Sequence, residues 1–434
     1  MTQRDRQFRV GNRRLAAGLV CLLMLGLTLT AYRITRQYHF PGPIAEGRTG
    51  YLDFHNGIYF PTRALLRGIS PYGSGYATEY SVDRPIPFFS PCILVLHAPL
   101  ALLPLRIAEI LFFVLSIGVL LAIGAVVAKA SGEPKRLDII LAITTALVFT
   151  RGGHITLFGG YFTHELVLAT FLAIYWADRR PALAALALVV VSAKPTYILP
   201  LGILMLARGN VKPLVLGAAL SIVAAVVPFA WLAYNAGEGD LPAGFGVLLE
   251  QITATQQTHM NMPDETPVLS WTRLDLLAVV AKWQGSDPSQ LILLLVMLLI
   301  LLVPIGLLIK RRRSTLDDGL AGMTGTLILT AMLVSIYHQS YDSMLVFAPL
   351  CGLLVGKLDC WQSISSMQRR LLVLLMLVPA CNFFSTRMAL RGFDFESTFV
   401  RFATSINGIS LAMLLAALCY LAWRNQARSD AGSG

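Results

Sequence analysis

Residues 289–309 (SQLILLLVMLLILLVPIGLLI) run without one charged side chain. A helix rises about 1.5 Å per residue, so this block reaches about 30 Å, the thickness of a bilayer's hydrocarbon core. Blocks of the same character recur at 15–33, 107–128, 213–233 and 406–423. In lipid every backbone N–H and C=O must be satisfied within the chain, so repeated long blocks call for helices. The whole chain agrees: 56% of its 434 residues are apolar and 14% charged. A soluble domain is roughly a quarter charged. A soluble enzyme, a disordered chain and a collagen-like repeat are excluded. So is an outer-membrane barrel, whose short strands would alternate apolar and polar residues. The expected fold is an all-α polytopic integral membrane protein.

Twelve candidate spans follow: 15–33, 107–128, 137–151, 164–177, 182–194, 196–207, 213–233, 289–309, 319–337, 342–356, 371–385 and 406–423. Several of the middle ones are short, and Pro195 and Pro200 interrupt them. Short, broken helices at membrane depth must be shielded by protein or line a wet cavity. The run 15–33 is longer than a signal-peptide core and no A-x-A site follows it, so it reads as an uncleaved anchor. The net charge of +11 is topological in this reading. Lys and Arg gather in short segments such as Arg4 to Arg14, Lys129 to Arg136 and Lys310 to Arg313, while acidic residues favour the other side. That places both termini in the cytoplasm, with tails at 1–14 and 424–434, in a cell (inner or plasma) membrane. Basic residues are not gathered on one soluble face, so no nucleic-acid partner is expected. The six cysteines lie mostly within apolar runs without a CxxC pair and read as core residues.

Two external loops are large, about 34–90 and 234–288, within a single transmembrane domain spanning 1–434. In the second, Phe245, Leu248, Leu249 and Ile252 share a helical face, as do Leu276, Leu277, Val280 and Trp283. These stretches read as interfacial helices, with Trp271 and Trp283 at headgroup level. Residues 91–104 (PCILVLHAPLALLP) are apolar but too short to span, and read as re-entrant or interfacial. The cytoplasmic segments carry no GxxxxGK[ST] and no GxGxxG in a βα context. Chemistry, if any, belongs to the outer face, where an activated donor would have to be carried in the lipid.

Candidate residues stand in those outer segments. Asp53 lies in the first loop near His55, Asn56, Arg63 and Arg67, with Arg84 further on. The alternative for Asp53 is the cap of a helix starting near Phe54. Arg151, Gly152, Gly153 and His154 follow the third span, where glycines would let backbone approach a ligand; the alternative is a tight turn with a snorkelling Arg. Lys194 sits among apolar neighbours, and an ammonium at depth faces a partner or a cavity unless it snorkels to the interface. His338 and Asp342, four apart, would share a helical face if helical, and otherwise sit on a polar loop tip. No HExxH or paired Cys/His set supports a metal, and no GxSxG elbow a serine nucleophile.

The order of these features resembles a known family. Asp53-Phe54, Tyr59, Ala64-Leu65-Leu66, Gly68 and Pro71-Tyr72 follow the first span. Arg84-Pro85-Ile86-Pro87-Phe88, Ala98-Pro99-Leu100, Leu103-Pro104, Lys194-Pro195 and the His338 to Pro349 segment come after. This resembles the GT-C glycosyltransferases, specifically the polyprenol-phosphate-mannose-dependent α-mannosyltransferases of glycosyltransferase family 87. The resemblance implies a bundle of about 12 transmembrane helices and a catalytic Asp in the first external loop, matched by Asp53. The family's Lys-Pro pair is matched by Lys194-Pro195. The chain departs at Ile58-Tyr59-Phe60-Pro61, where the family commonly has Tyr-Tyr and Ala-Ala, and at Gly153-His154, where it often has Gly-Gln.

The expected reaction is transfer of a hexose, mannose by resemblance, from a polyprenyl-phosphate donor to a glycolipid or glycan hydroxyl. Asp53 would be the base, and Lys194, with Arg151 and His338, would hold the phosphate; His154, Asp342 and Arg84 complete the candidate substrate-binding set. No cofactor or metal is expected. The rival from another class is a transporter or flippase of lipid-linked or small polar substrates, which also uses broken helices and buried charge, but the chain shows no internal repeat.

Overall fold

The computed structural model describes residues 3–432 except 44, 46, 83–85, 88, 263–264, 314–317, 387–388, 391 and 395–396. Arg84 therefore lies outside the described residues. The described chain is helical, and each of the twelve apolar stretches falls on a helix. Five helices are long and apolar enough to cross a bilayer alone: Arg14–Arg36, Leu105–Ala130, Val211–Ala236, Gln290–Arg312 and Thr398–Ala427. A sixth span results if Leu137–Phe149 and Arg151–Gly159, bent by 70° at Thr150, count as one. This is a multi-pass membrane architecture.

Long and short helices occupy different places. Only 6% of the Val211–Ala236 window is buried, which leaves its apolar side chains for lipid. Met323–Ser335, 13 residues long, is buried at every position. A helix apolar all round belongs in a protein interior or in lipid, and here it is walled in by protein. The short helices begin at identifiable breaks. Pro195 opens Pro195–Arg208, where its missing N–H costs nothing, and Thr150 Oγ1 accepts from Gly153 N at 3.3 Å to cap Arg151–Gly159. Interrupted backbone is thus kept to the interior.

Polar ties join short helices to their neighbours. Arg208 donates to Asp178 at 2.7 Å, Asn210 to the same carboxylate at 2.7 Å, and Trp361 Nε1 to Ala321 O at 2.9 Å.

The second large loop contains the two expected helices, Leu241–Met260 and Leu276–Gln284, each with part of its apolar face left outward. On the first, Leu248 is buried while Leu249 is 58% exposed. On the second, Leu277, Ala278, Ala281 and Lys282 are buried, and Val280 and Trp283 are exposed. Packing against Thr398–Gly432 selects the small side chains, because close approach stabilises more than bulk here. A methyl placed on Gly408 would stand 2.5 Å from Val279 Cγ2, so that glycine sets the approach.

This geometry sinks Lys282, whose Nζ donates to Thr404 O at 3.0 Å, and burial pushes its pKa from 10.5 down to about 7. Between those pH values the unfolded chain holds the proton and the folded one does not. Stability therefore rises as pH climbs from about 7 to 10.5, the interval set by the two values. Lys282→Met is expected to remove that slope. Unfolding midpoints in detergent at neutral and alkaline pH measure it; an unchanged slope would locate the titration elsewhere.

Candidate active site

The residues before Asp53 set it in place. Tyr51 adopts a left-handed backbone conformation, φ 63°, uncommon without glycine. Its N–H donates to Phe158 O at 2.9 Å and its hydroxyl to Glu109 O at 3.2 Å. The chain then forms a helical turn, Leu52–Phe54, that runs into a π-helical turn, His55–Tyr59. Such turns recur at functional sites. Asp53 lies inside the first turn and caps nothing, because the helix starts at Leu52 instead of Phe54. Its carboxylate lies over Gly159, where an added Cβ would stand 2.5 Å from Oδ2. Gly159 is therefore glycine because Asp53 needs the space. Gly159→Ala is expected to cut turnover about 10- to 100-fold by displacing that carboxylate, with little change in unfolding temperature. Turnover equal to wild type would show that the position of Asp53 does not matter.

The Lys194 question is settled by a partner. Lys194 Nζ donates to Asp342 at 3.2 and 3.3 Å, and the side chains are 12% and 0% exposed. Tyr197, one turn into the helix that Pro195 opens, donates its hydroxyl to Asp342 Oδ1 at 2.5 Å. The Gln339 N–H donates to Oδ2 at 2.8 Å. The Lys194 ammonium also lies over the rings of Tyr197 and Tyr341, at 5.0 and 4.9 Å. A buried ion pair whose carboxylate is further hydrogen-bonded and whose ammonium rests on aromatic faces is a form in which buried charge is tolerated.

His338 and Asp342 do not share a helical face. Asp342 caps the 3₁₀ turn Ser340–Val346 from within, and His338 precedes that turn. Both still meet at Tyr197, whose ring centroid is 5.1 Å from that of His338. The second large loop closes over this segment: Leu274 N donates to His338 O at 2.8 Å, and Tyr337 donates to Glu265 Oε2 at 2.5 Å. A buried pair, Arg273 Nε to Asp275 Oδ2 at 2.9 Å, anchors the loop. Burial alone would raise the Asp275 carboxyl, but Arg273 holds it below the usual range.

Tyr161 joins the two halves. Its ring centroid lies 6.2 Å from that of Tyr341, and its edge faces Gly57, one turn beyond Asp53. Burial, then the carboxylates of Asp53, Asp342 and Glu265, raise its phenol well above the ordinary value. Asp53, Lys194, His338 and Asp342 thus surround one tyrosine-rich centre.

Two candidates lie apart. Arg151 is 1% exposed and donates to Asn382 O at 3.1 Å. His154 turns to the first helix, accepting from Arg33 Nη1 at 2.6 Å with Thr30 Oγ1 3.3 Å from its other nitrogen. Sequence reasoning placed Tyr341 beside His338 and Asp342 in one external turn but missed Tyr161, Tyr197 and Glu265. Tyr197 was findable, three residues after Lys194 at a helix start; nothing local marks the others. Among the described residues no three His, Cys, Asp or Glu side chains form a metal-binding group.

The chain also forms an apolar groove of about 670 Å³. Leu65, Cys92, Val189, Val190, Val227 and Trp231 are among its walls. The Pro181–Val191 wall ends three residues before Lys194 in the chain, and Ser90 N donates to Ala193 O at 3.2 Å.

No curated protein and no solved structure matches the chain. Residues 88–335 match glycosyltransferase family 87, a stretch that takes in the groove's Val189 to Trp231 walls, Tyr161, Lys194 and Glu265 and stops just short of His338. With that match over more than half its length, this multi-pass helical protein belongs to glycosyltransferase family 87 and is a membrane glycosyltransferase.

Proposed function

We propose that the protein moves a hexose, mannose first among candidates, from a polyprenyl-phosphate donor to a hydroxyl of a glycolipid or glycan. All twelve helical segments are read as embedded in the plasma membrane in a GT-C-like bundle. Both termini are cytoplasmic and the two large loops external, a reading supported by the basic residues of the short segments.

The observation that carries the donor assignment is an apolar groove whose Val189–Val190 wall precedes the buried Lys194–Asp342 pair in the chain. An apolar channel and a fixed cation suit a molecule with a long hydrocarbon tail and an anionic head. The tail lies in the groove and the phosphate beside Lys194. The acceptor oxygen attacks the anomeric carbon while the bond from that carbon to the phosphate oxygen breaks. The electron pair leaves with the phosphate, and Asp53 takes the hydroxyl proton. Charge growing on the leaving phosphate is stabilised by the Lys194 ammonium, with His338 as a further candidate. Asp342 holds that ammonium in place. A single displacement inverts the anomeric centre.

The test uses the purified protein in liposomes, polyprenyl-phosphate mannose labelled in the sugar, and a lipid extract of the source membranes as acceptor pool. Label appearing in a new product supports the reading. Label that crosses the bilayer on intact donor, with no new bond, overturns it.

A further inference from the structure

A polar cluster outside that centre is unused by the proposed reaction. Glu109 lies on the first turns of Leu105–Ala130, and its side chain is 10% exposed. Its Oε1 lies 2.6 Å from His55 Nε2 and accepts from the Tyr38 hydroxyl. Arg106 Nη1 donates to Oε2 at 3.3 Å, and the Arg106 guanidinium stacks 4.2 Å over Tyr38. The backbone oxygen of Glu109 accepts from the Tyr51 hydroxyl. One turn on, the Phe112 ring centroid is 4.8 Å from that of Phe54.

These contacts have a pattern. Asp53 stands midway between Tyr51 and His55; position 109 holds His55 by its carboxylate and Tyr51 by its main-chain oxygen. Tyr51 is in the left-handed region, which a non-glycine residue keeps only where its surroundings over-determine it. The cluster joins the end of the first helix, the Asp53 turn and the Leu105–Ala130 helix, and it is built from charged and short bonds in a buried setting. A carboxylate that must meet a hydroxyl at hydrogen-bond distance gains from such support.

We infer that Glu109 is a positioning residue for sugar transfer, its carboxylate fixing the Asp53 turn through His55, while its main-chain oxygen ties down Tyr51. The inference rests on the assignment of Asp53 as base. Glu109→Gln keeps size and one acceptor oxygen but loses the charge that holds His55. Tyr51→Phe removes one hydroxyl and serves as the milder variant.

Both are assayed with labelled polyprenyl-phosphate mannose and the source lipid extract. Glu109→Gln is expected to lower turnover at saturation about 10- to 100-fold, with the KM for donor within about twofold of wild type. Tyr51→Phe is expected to lower turnover in the same direction, by less. Turnover unchanged in both variants, or KM rising in step with the loss, overturns the inference. Should Glu109→Gln fail to fold, Tyr38→Phe, which removes a donor to the Glu109 carboxylate, decides alone: reduced turnover at constant KM supports the inference and unchanged turnover ends it. Asp53→Asn run alongside separates the two failures. Full activity there removes the base itself, whereas an inactive Asp53→Asn beside a fully active Glu109→Gln removes only the positioning role.

Discussion

Asp53→Asn is expected to abolish sugar transfer, with a fall in turnover of about 10²- to 10⁴-fold, while the protein still folds and inserts. General-base assistance contributes in this range, and an amide of the same shape cannot accept the hydroxyl proton. The asparagine would keep the contact with Gly159 and the π-helical turn beyond, because neither depends on charge. Stability should therefore change little. Turnover and unfolding temperature measured on the same preparation give the answer. Activity near wild type would take Asp53 out of the mechanism.

Asp342→Ala is expected to have the largest effect on stability. Removing one partner of a buried pair typically costs about 3–5 kcal/mol, because the other charge stays behind. Here three donors lose their acceptor together: the Lys194 ammonium, the Tyr197 hydroxyl and the Gln339 N–H. Lys194→Met should cost less, since Asp342 would retain two of its donors and the methionine fills the stem's volume. The order, Asp342→Ala well below Lys194→Met, is what thermal unfolding in detergent should return. The reverse order would mean that the ammonium is stabilised mainly by the Tyr197 and Tyr341 rings.

Much of the architecture was legible in the chain. Uninterrupted apolar blocks fix where helices lie, because hydrocarbon leaves the backbone no other option, and every such block is helical. Lys194-Pro195 marks a helix break with a costly charge beside it, and both readings of that charge could be written down in advance. The choice between them could not. Asp342 is 148 positions away, and nothing near either residue names the other.

The same limit applies to the second loop's helices. Hydropathy marks the apolar face that carries Val280 and Trp283, but not that Ala278 and Ala281 pack inward, since close packing rewards shape as well as apolar character. It also explains His154, which faced the site in the sequence reading and in fact meets Arg33 of the first helix. What the amino-acid sequence determined by itself was the solvent: a chain this apolar, in blocks this long, must be helical and must sit in lipid. What the tertiary structure alone decided was company. Asp53 beside Gly159, Lys194 on Asp342, and Glu109 on both flanks of Asp53 are contacts across tens to hundreds of residues, and their energies depend on distance and burial, which no local pattern encodes.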